Sequence, residues 1–283
     1  MNGVHNEFVA ARKNLIRILG ALAIYDPRAV IVVGAQAVYL RTVDVILPFA
    51  PFTYDSDLAL DPRILATTPP IRATLIANGY VHRDNQPGLY WASQESAEAR
   101  EAGAQVDLLV PEEYAQGPGS RDAGLPGDNE RVARRTRGLE AALFDRDSML
   151  IEDLVDPQDR IEAHVAGPAA LIIAKAQKIA ERVSSNERRL QAKDASDVFR
   201  LLRGHEPDDI ERRFRHLMNQ NECVAPIRRG IQAAQDVFVR GSIGRELFAE
   251  ATNAEPERVA LRESFRLLTS ELGQLLAAIG VDA

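Results

Sequence analysis

Asp55-Ser56-Asp57-Leu58-Ala59-Leu60 is the stretch on which the reading of this chain turns. Leu58 and Leu60 alternate with Asp57 and Ala59, the two-residue period of a half-buried strand, so Asp55 and Asp57 fall on one face and Ser56 on the other. Two carboxylates on one strand face are close enough to share a metal ion. Taken alone, the same pattern also describes a polar strand entry after a loop, and Leu47 to Thr53, with two prolines and two phenylalanines, reads as that irregular connection.

Upstream, Ala29 to Val33 is a short apolar, β-branched run, Gly34 permits a tight turn, and Ala35 to Arg41 continues as a helix. In such a strand, glycine turn and helix, the amides of Gly34-Ala35-Gln36 and the positive helix end are placed to receive phosphate, although an ordinary strand-to-helix turn has the same pattern. Before it, Phe8, Leu15, Ile18, Leu19 and Leu22 give an amphipathic helix from Asn6 to Ala23, closed by Pro27.

Downstream, Pro69 and Pro70 precede a helix from Ile71 to Asn78, closed by Gly79. Strands are expected at Tyr80 to Arg83, Gly88 to Ser93 and Ala104 to Val110, the last stopped by Pro111. That third strand holds Asp107 among Val106, Leu108, Leu109 and Val110, where a charge is costly without a partner. Ala115 to Gly127 reads as an exposed loop covering a site. Gly138 to Phe144, Ser148 to Leu154 and Arg160 to Val165 read as further strands. From Pro168 helical periodicity takes over, with helices near 168–183, 189–203, 207–218, 226–238 and 256–279. The fold class is therefore α+β: a mixed sheet with flanking helices over residues 1–166, then a helical domain over 167–283 that completes the active-site cleft.

Phosphoryl chemistry needs a divalent cation to neutralise phosphates and align the attacking oxygen, and Mg2+ prefers oxygen ligands in octahedral geometry. Asp55, Asp57 and Asp107 supply such a set for Mg2+ and a nucleoside triphosphate such as ATP.

The formal net charge of -7 argues against a sequence-blind grip on nucleic acid. Local basic patches remain at Arg131, Arg134, Arg135 and Arg137, and from Arg182 through Arg188, Arg189 and Lys193, where solvated helix faces are the plainer reading. Cys223 is the only cysteine, which excludes a disulfide framework and a zinc cluster. The N-terminus lacks the uninterrupted apolar core of a signal peptide, and no apolar run approaches the roughly 20 residues of a membrane span. A soluble, cytoplasmic protein with no membrane partner is expected.

In order, Val32-Val33-Gly34-Ala35, Asp55-Ser56-Asp57 and Asp107 resemble the core of the polymerase-beta-like nucleotidyltransferase superfamily. Two departures stand out: Ala35 occupies a place usually held by Gly or Ser, and the connection from Gly34 to Asp55 is longer than usual. Ala174-Lys175-Ala176-Gln177-Lys178-Ile179-Ala180-Glu181-Arg182, followed by Lys193-Asp194-Ala195-Ser196-Asp197-Val198-Phe199, is similar to the AbiEii-type members. The resemblance spans about residues 28 to 203. It implies a nucleotidyltransferase fold and a lysine contacting the triphosphate, with Lys178 the first choice and Lys175, one turn earlier, the alternative. A lysine suits that role as a compact point charge. Asp194 would orient that lysine, bind metal through water, or serve as a first-turn acid of its own helix; Asp197 would support it.

The resemblance also implies a toxin of a two-gene toxin-antitoxin system, with a cognate antitoxin protein as partner, and transfer of a nucleoside monophosphate from a triphosphate to an acceptor, a tRNA 3' end in some members. Two other readings stay open. One is a nucleotidyltransferase modifying a protein or small molecule, which the acidic charge favours; the other is a catalytically weak nucleotide-binding protein, which Ala35 permits.

Overall fold

The computed structural model describes residues 2–47, 53–83, 86–92, 105–117, 121–125, 127–128, 131–185, 190–252 and 258–280. Within them the chain is α+β with a mixed sheet. It divides into two compact units, one of Met1–Leu40, Phe49–Thr136 and Arg146–Ala166, the other of Arg41–Pro48, Arg137–Asp145 and Gly167–Ala283. The second unit thus takes two short segments from the N-terminal part as well as everything from Gly167.

The first unit is built on a nine-stranded sheet: β1 (Val30–Val33), β2 (Asp55–Leu60), β3 (Tyr80–His82), β4 (Leu89–Ala92), β5 (Gln105–Pro111), β6 (Asp122–Ala123), β7 (Ala133–Thr136), β8 (Arg146–Glu152) and β9 (Arg160–Ala166). The main order is β3-β4-β5-β2-β1-β9-β8, with β7 joined to β5 and β6 to β7. All four residues of β1 are buried, as a central strand covered on both faces requires. β2 runs antiparallel to β1 and parallel to β5. Helix α1 (Asn2–Ala21) lies against one face, where Ser56 Oγ donates to the carbonyl of Ala11 and Asn14 Nδ2 to that of Gln105. Because strand side chains alternate, Asp55 and Asp57 point to the opposite face.

Helix α2 (Gly34–Arg41) follows β1 directly, and α3 (Ile71–Ala77) ends before Gly79, which takes a positive φ of 82°. Most strands stand within a residue or two of the sequence expectation. Residues 48–52 of the proline-rich connection, the end of the Gly88 to Ser93 strand, and residues 118–120 and 126 of the loop lie outside the described residues.

Three differences have physical causes. Gly138 to Phe144 is not a strand: Glu140–Leu143 forms a 3-10 turn, and Leu139, Ala141, Ala142 and Leu143 are all buried. A short apolar run does not by itself distinguish strand from buried helix, and Gly138 at φ 78° turns the chain against Gln177. The strand expected at Ser148 to Leu154 begins at Arg146 and stops at Glu152, because Asp153 folds back to accept the amides of Val155 and Asp156. β7 has no counterpart in the sequence reading, since its Ala-Arg-Arg-Thr looks like a solvated charge run.

The second unit holds α4 (Pro168–Ser185), α5 (Ala192–Gly204), α6 (Pro207–Met218), α7 (Val224–Ala234), α8 (Ile243–Ala251) and α9 (Arg258–Ala278). α7 continues into a π-helical segment, Gln235–Arg240, and α8 was likewise absent from the sequence expectation. Phe199, Phe238, Phe248 and Phe265 are fully buried and stack edge-on or tilted at the centre. Among the described residues no helix is long and apolar enough to cross a membrane.

Candidate metal centre

Asp57 and Asp107 are register partners on the parallel strands β2 and β5, and Asp55 is two residues before Asp57 on the same face. One carboxylate oxygen from each of Asp55, Asp57 and Asp107 lies within 4.8 Å of the other two. Ligands on opposite sides of a Mg2+ ion stand about 4 Å apart, at metal distances of about 2.1 Å, so this spread closes with small side-chain rotations. Asp107 is buried, while Asp55 and Asp57 are half-buried and remain reachable.

Gly34 shows why β1 ends where it does. Its φ of 67° is left-handed, and a Cβ there would overlap the carboxylate of Asp57. Glycine is needed twice, for the backbone angle and for the space. Asp57 therefore rests against the residue that opens α2, whose first-turn amides carry the positive end of the helix dipole. The methyl of Ala35 is buried. Gln36 is buried too, and its Oε1 accepts from Arg12 Nε of α1 at 3.1 Å, bracing the first turn. Burial pulls the Arg12 guanidinium down to about 10, against the opposing pull of Asp153.

The residue that sequence reasoning left in a generic patch is Arg134. β7 pairs parallel to β5 with Leu109 opposite Arg134, which carries the guanidinium along the acid face to Asp107 Oδ2 at 3.1 Å. With its side chain 41% exposed, Arg134 offers donors to both the acid and solvent. The rest of that patch is engaged elsewhere. Arg131 pairs with Asp122, Arg135 donates to the carbonyls of Ala115 and Gly117, and Arg137 approaches Glu181. Reading Val132-Ala133-Arg134-Arg135-Thr136 as a strand would have separated Arg134 from a helical patch, but its place beside Asp107 comes only from the pairing of β7 with β5.

Comparison with protein families, curated proteins and solved structures finds no match.

The remaining sequence candidates gather in the second unit. Lys175 is buried and donates to Asp194 Oδ1 at 2.9 Å and Asp197 Oδ2 at 2.6 Å. Lys178 Nζ meets the same Asp194 Oδ1 at 3.0 Å, and Arg182 meets Oδ2 at 3.2 Å. Burial opposes the charge on Lys175, but the two aspartates outweigh it and hold the ammonium well above its ordinary value. Burial likewise opposes ionisation of Asp194, and Lys175 and Lys178 overcome it, keeping that carboxyl far below the usual range. Lys178 is the exception: burial, then repulsion from Lys175, lowers its pKa despite Asp194. Of the roles open to Asp194, its bonds show it orienting the lysines, and it also stands in the first turn of its own helix, α5. Lys175 is spent within this network, while Lys178 keeps 37% of its side chain exposed. Arg188 and Arg189 lie outside the described residues.

Proposed function

We propose that the chain is a metal-dependent nucleotidyltransferase, moving a nucleoside monophosphate from a triphosphate to an acceptor hydroxyl. The observation that carries this is the convergence of Asp55, Asp57 and Asp107 oxygens beside a glycine-opened helix. The donor set is all carboxylate, hard and anionic, which suits Mg2+ rather than a thiophilic metal.

Asp55 and Asp57 would hold Mg2+ with the triphosphate, and Asp107 would share that ion and orient the acceptor hydroxyl. Bound there, the ion would neutralise phosphate oxygens and align in-line attack at the α-phosphate, with pyrophosphate leaving. The chain's own part is positional. Gly34 keeps Asp57 in place, the first amides of α2 face developing negative charge, and Arg134 fixes one oxygen of Asp107 so that the other is presented. Lys178 is the residue the AbiEii-type resemblance assigns to the triphosphate. A tRNA 3' end is the acceptor this reading favours, with the chain acting as the toxin of a toxin-antitoxin pair.

The test is incubation with Mg2+, each labelled triphosphate and total tRNA. Label should enter tRNA and pyrophosphate should appear. Asp55→Asn should remove the activity by about four orders of magnitude, the several-kcal/mol scale of metal-assisted charge stabilisation. Full activity in that variant, or triphosphate binding without any product on tRNA, protein or small-molecule acceptors, would sink the reading.

A further inference from the structure

The two ends of the sheet are unlike. β3, at one end, is three residues long, short enough to be a poor template for pairing; β8, at the other, runs for seven residues without proline. The phase of its ladder identifies which groups face outward. Gly167 N donates to Asp145 O, and Asp153 N to Asp159 O, so the pairs continuing between them are Asp147–Val165, Met149–Ala163 and Ile151–Ile161. The N–H and C=O groups of Ser148 and Leu150 therefore point away from β9, and among the described residues they meet no backbone partner. At the end of the strand, the outward carbonyl of Glu152 accepts Arg12 Nη1 at 3.3 Å, which leaves the central pair as the open part of the edge.

We propose that this edge binds a second copy of the chain, with the two β8 strands antiparallel about Met149. Three features favour a copy of itself over another partner. This register sets Ser148 opposite Leu150 of the partner and Leu150 opposite Ser148, so the outward groups meet in two reciprocal pairs and form four hydrogen bonds. It also sets Arg146 opposite Glu152 twice, so the strand is complementary in charge to its own reverse. Leu150, 52% exposed, moves from solvent to the junction. The edge uses none of the carboxylates of the candidate metal centre, so dimerisation stands or falls separately from catalysis.

The register makes a chemical prediction. Met149 uses its own backbone groups on β9, so at the two-fold axis it faces its counterpart as a non-hydrogen-bonded pair, with Cβ atoms about 4.5–5.5 Å apart, near enough for a disulfide after slight adjustment. The only native cysteine, Cys223, is buried. The experiment uses the full chain. Sedimentation equilibrium should show a reversible dimer, and mild oxidation should trap Met149→Cys as a covalent dimer while leaving wild type and Asp147→Cys uncrosslinked. Leu150→Pro removes an outward N–H and should weaken dimerisation about tenfold or more, with an unchanged melting temperature at dilutions where both proteins are monomeric. If proline disturbs the fold, Leu150→Lys is the substitute, with the same expected weakening. A strictly monomeric wild type, or a dimer that survives both position-150 variants and leaves the Met149→Cys variant uncrosslinked, overturns the proposal.

Discussion

The two charged clusters have opposite balances. In the first unit Asp55, Asp57 and Asp107 converge, with Arg134 on Asp107; in the second, Lys175, Lys178 and Arg182 surround Asp194 and Asp197. The acid cluster gathers three carboxylates within ligand distance of one another, two of them half-buried, a spacing a cation could bridge. The lysine network is enclosed, and its buried members are matched within the protein. One arrangement is built to receive, the other to hold helices α4 and α5 together.

That contrast breaks first on stability. Lys175→Met should cost about 3 to 5 kcal/mol in denaturant unfolding, because Asp197 loses its lysine in a buried setting. Asp55→Asn should leave stability unchanged or improve it, since it relieves repulsion. Equal destabilisation by both would erase the distinction. Asp194, whose folded pKa is depressed, contributes stability that is fully present above its unfolded value near 3.8 and is lost as pH falls through the folded value. Asp194→Asn should flatten the acid limb of stability against pH.

Gly34→Ala is next, at about 2 to 4 kcal/mol, from left-handed backbone strain and overlap with Asp57. It should also weaken Mg2+ binding measured by calorimetry, which ordinary loop strain would not do. The smallest effect is at Arg134. Arg134→Gln should lower turnover about ten- to a hundredfold, as loss of a partner that orients a ligand does, while tightening metal binding because the site gains net negative charge. Slower turnover with weaker metal binding would place Arg134 among the structural arginines instead.

Much of this was legible in one dimension. The alternation around Asp57 and Asp107, and the glycine after Val33, located the acid face because strand period is a local property. What was hidden depended on pairing. Nothing in the run Ala133 to Thr136 says that β7 lies beside β5, so the route from Arg134 to Asp107 was invisible. Nor does the spacing of Lys175 and Lys178 reveal that both converge on one oxygen of Asp194. Leu139 to Leu143 misled for a related reason: apolar residues in succession suit a buried turn as well as a strand.

Asp145 has a practical consequence for anyone dividing this molecule. Its carboxylate accepts the Ala170 amide at the start of α4 and the Arg213 guanidinium of α6, and its carbonyl accepts Gly167 N. A fragment beginning at Gly167 would discard that anchor along with its own first cap, leaving Arg213 with Asp209 but without the buried carboxylate that ties α6 to the start of α4. Trimming at the visible change of composition should therefore yield an aggregating helical piece, and useful dissection would have to carry residues 137–145 along.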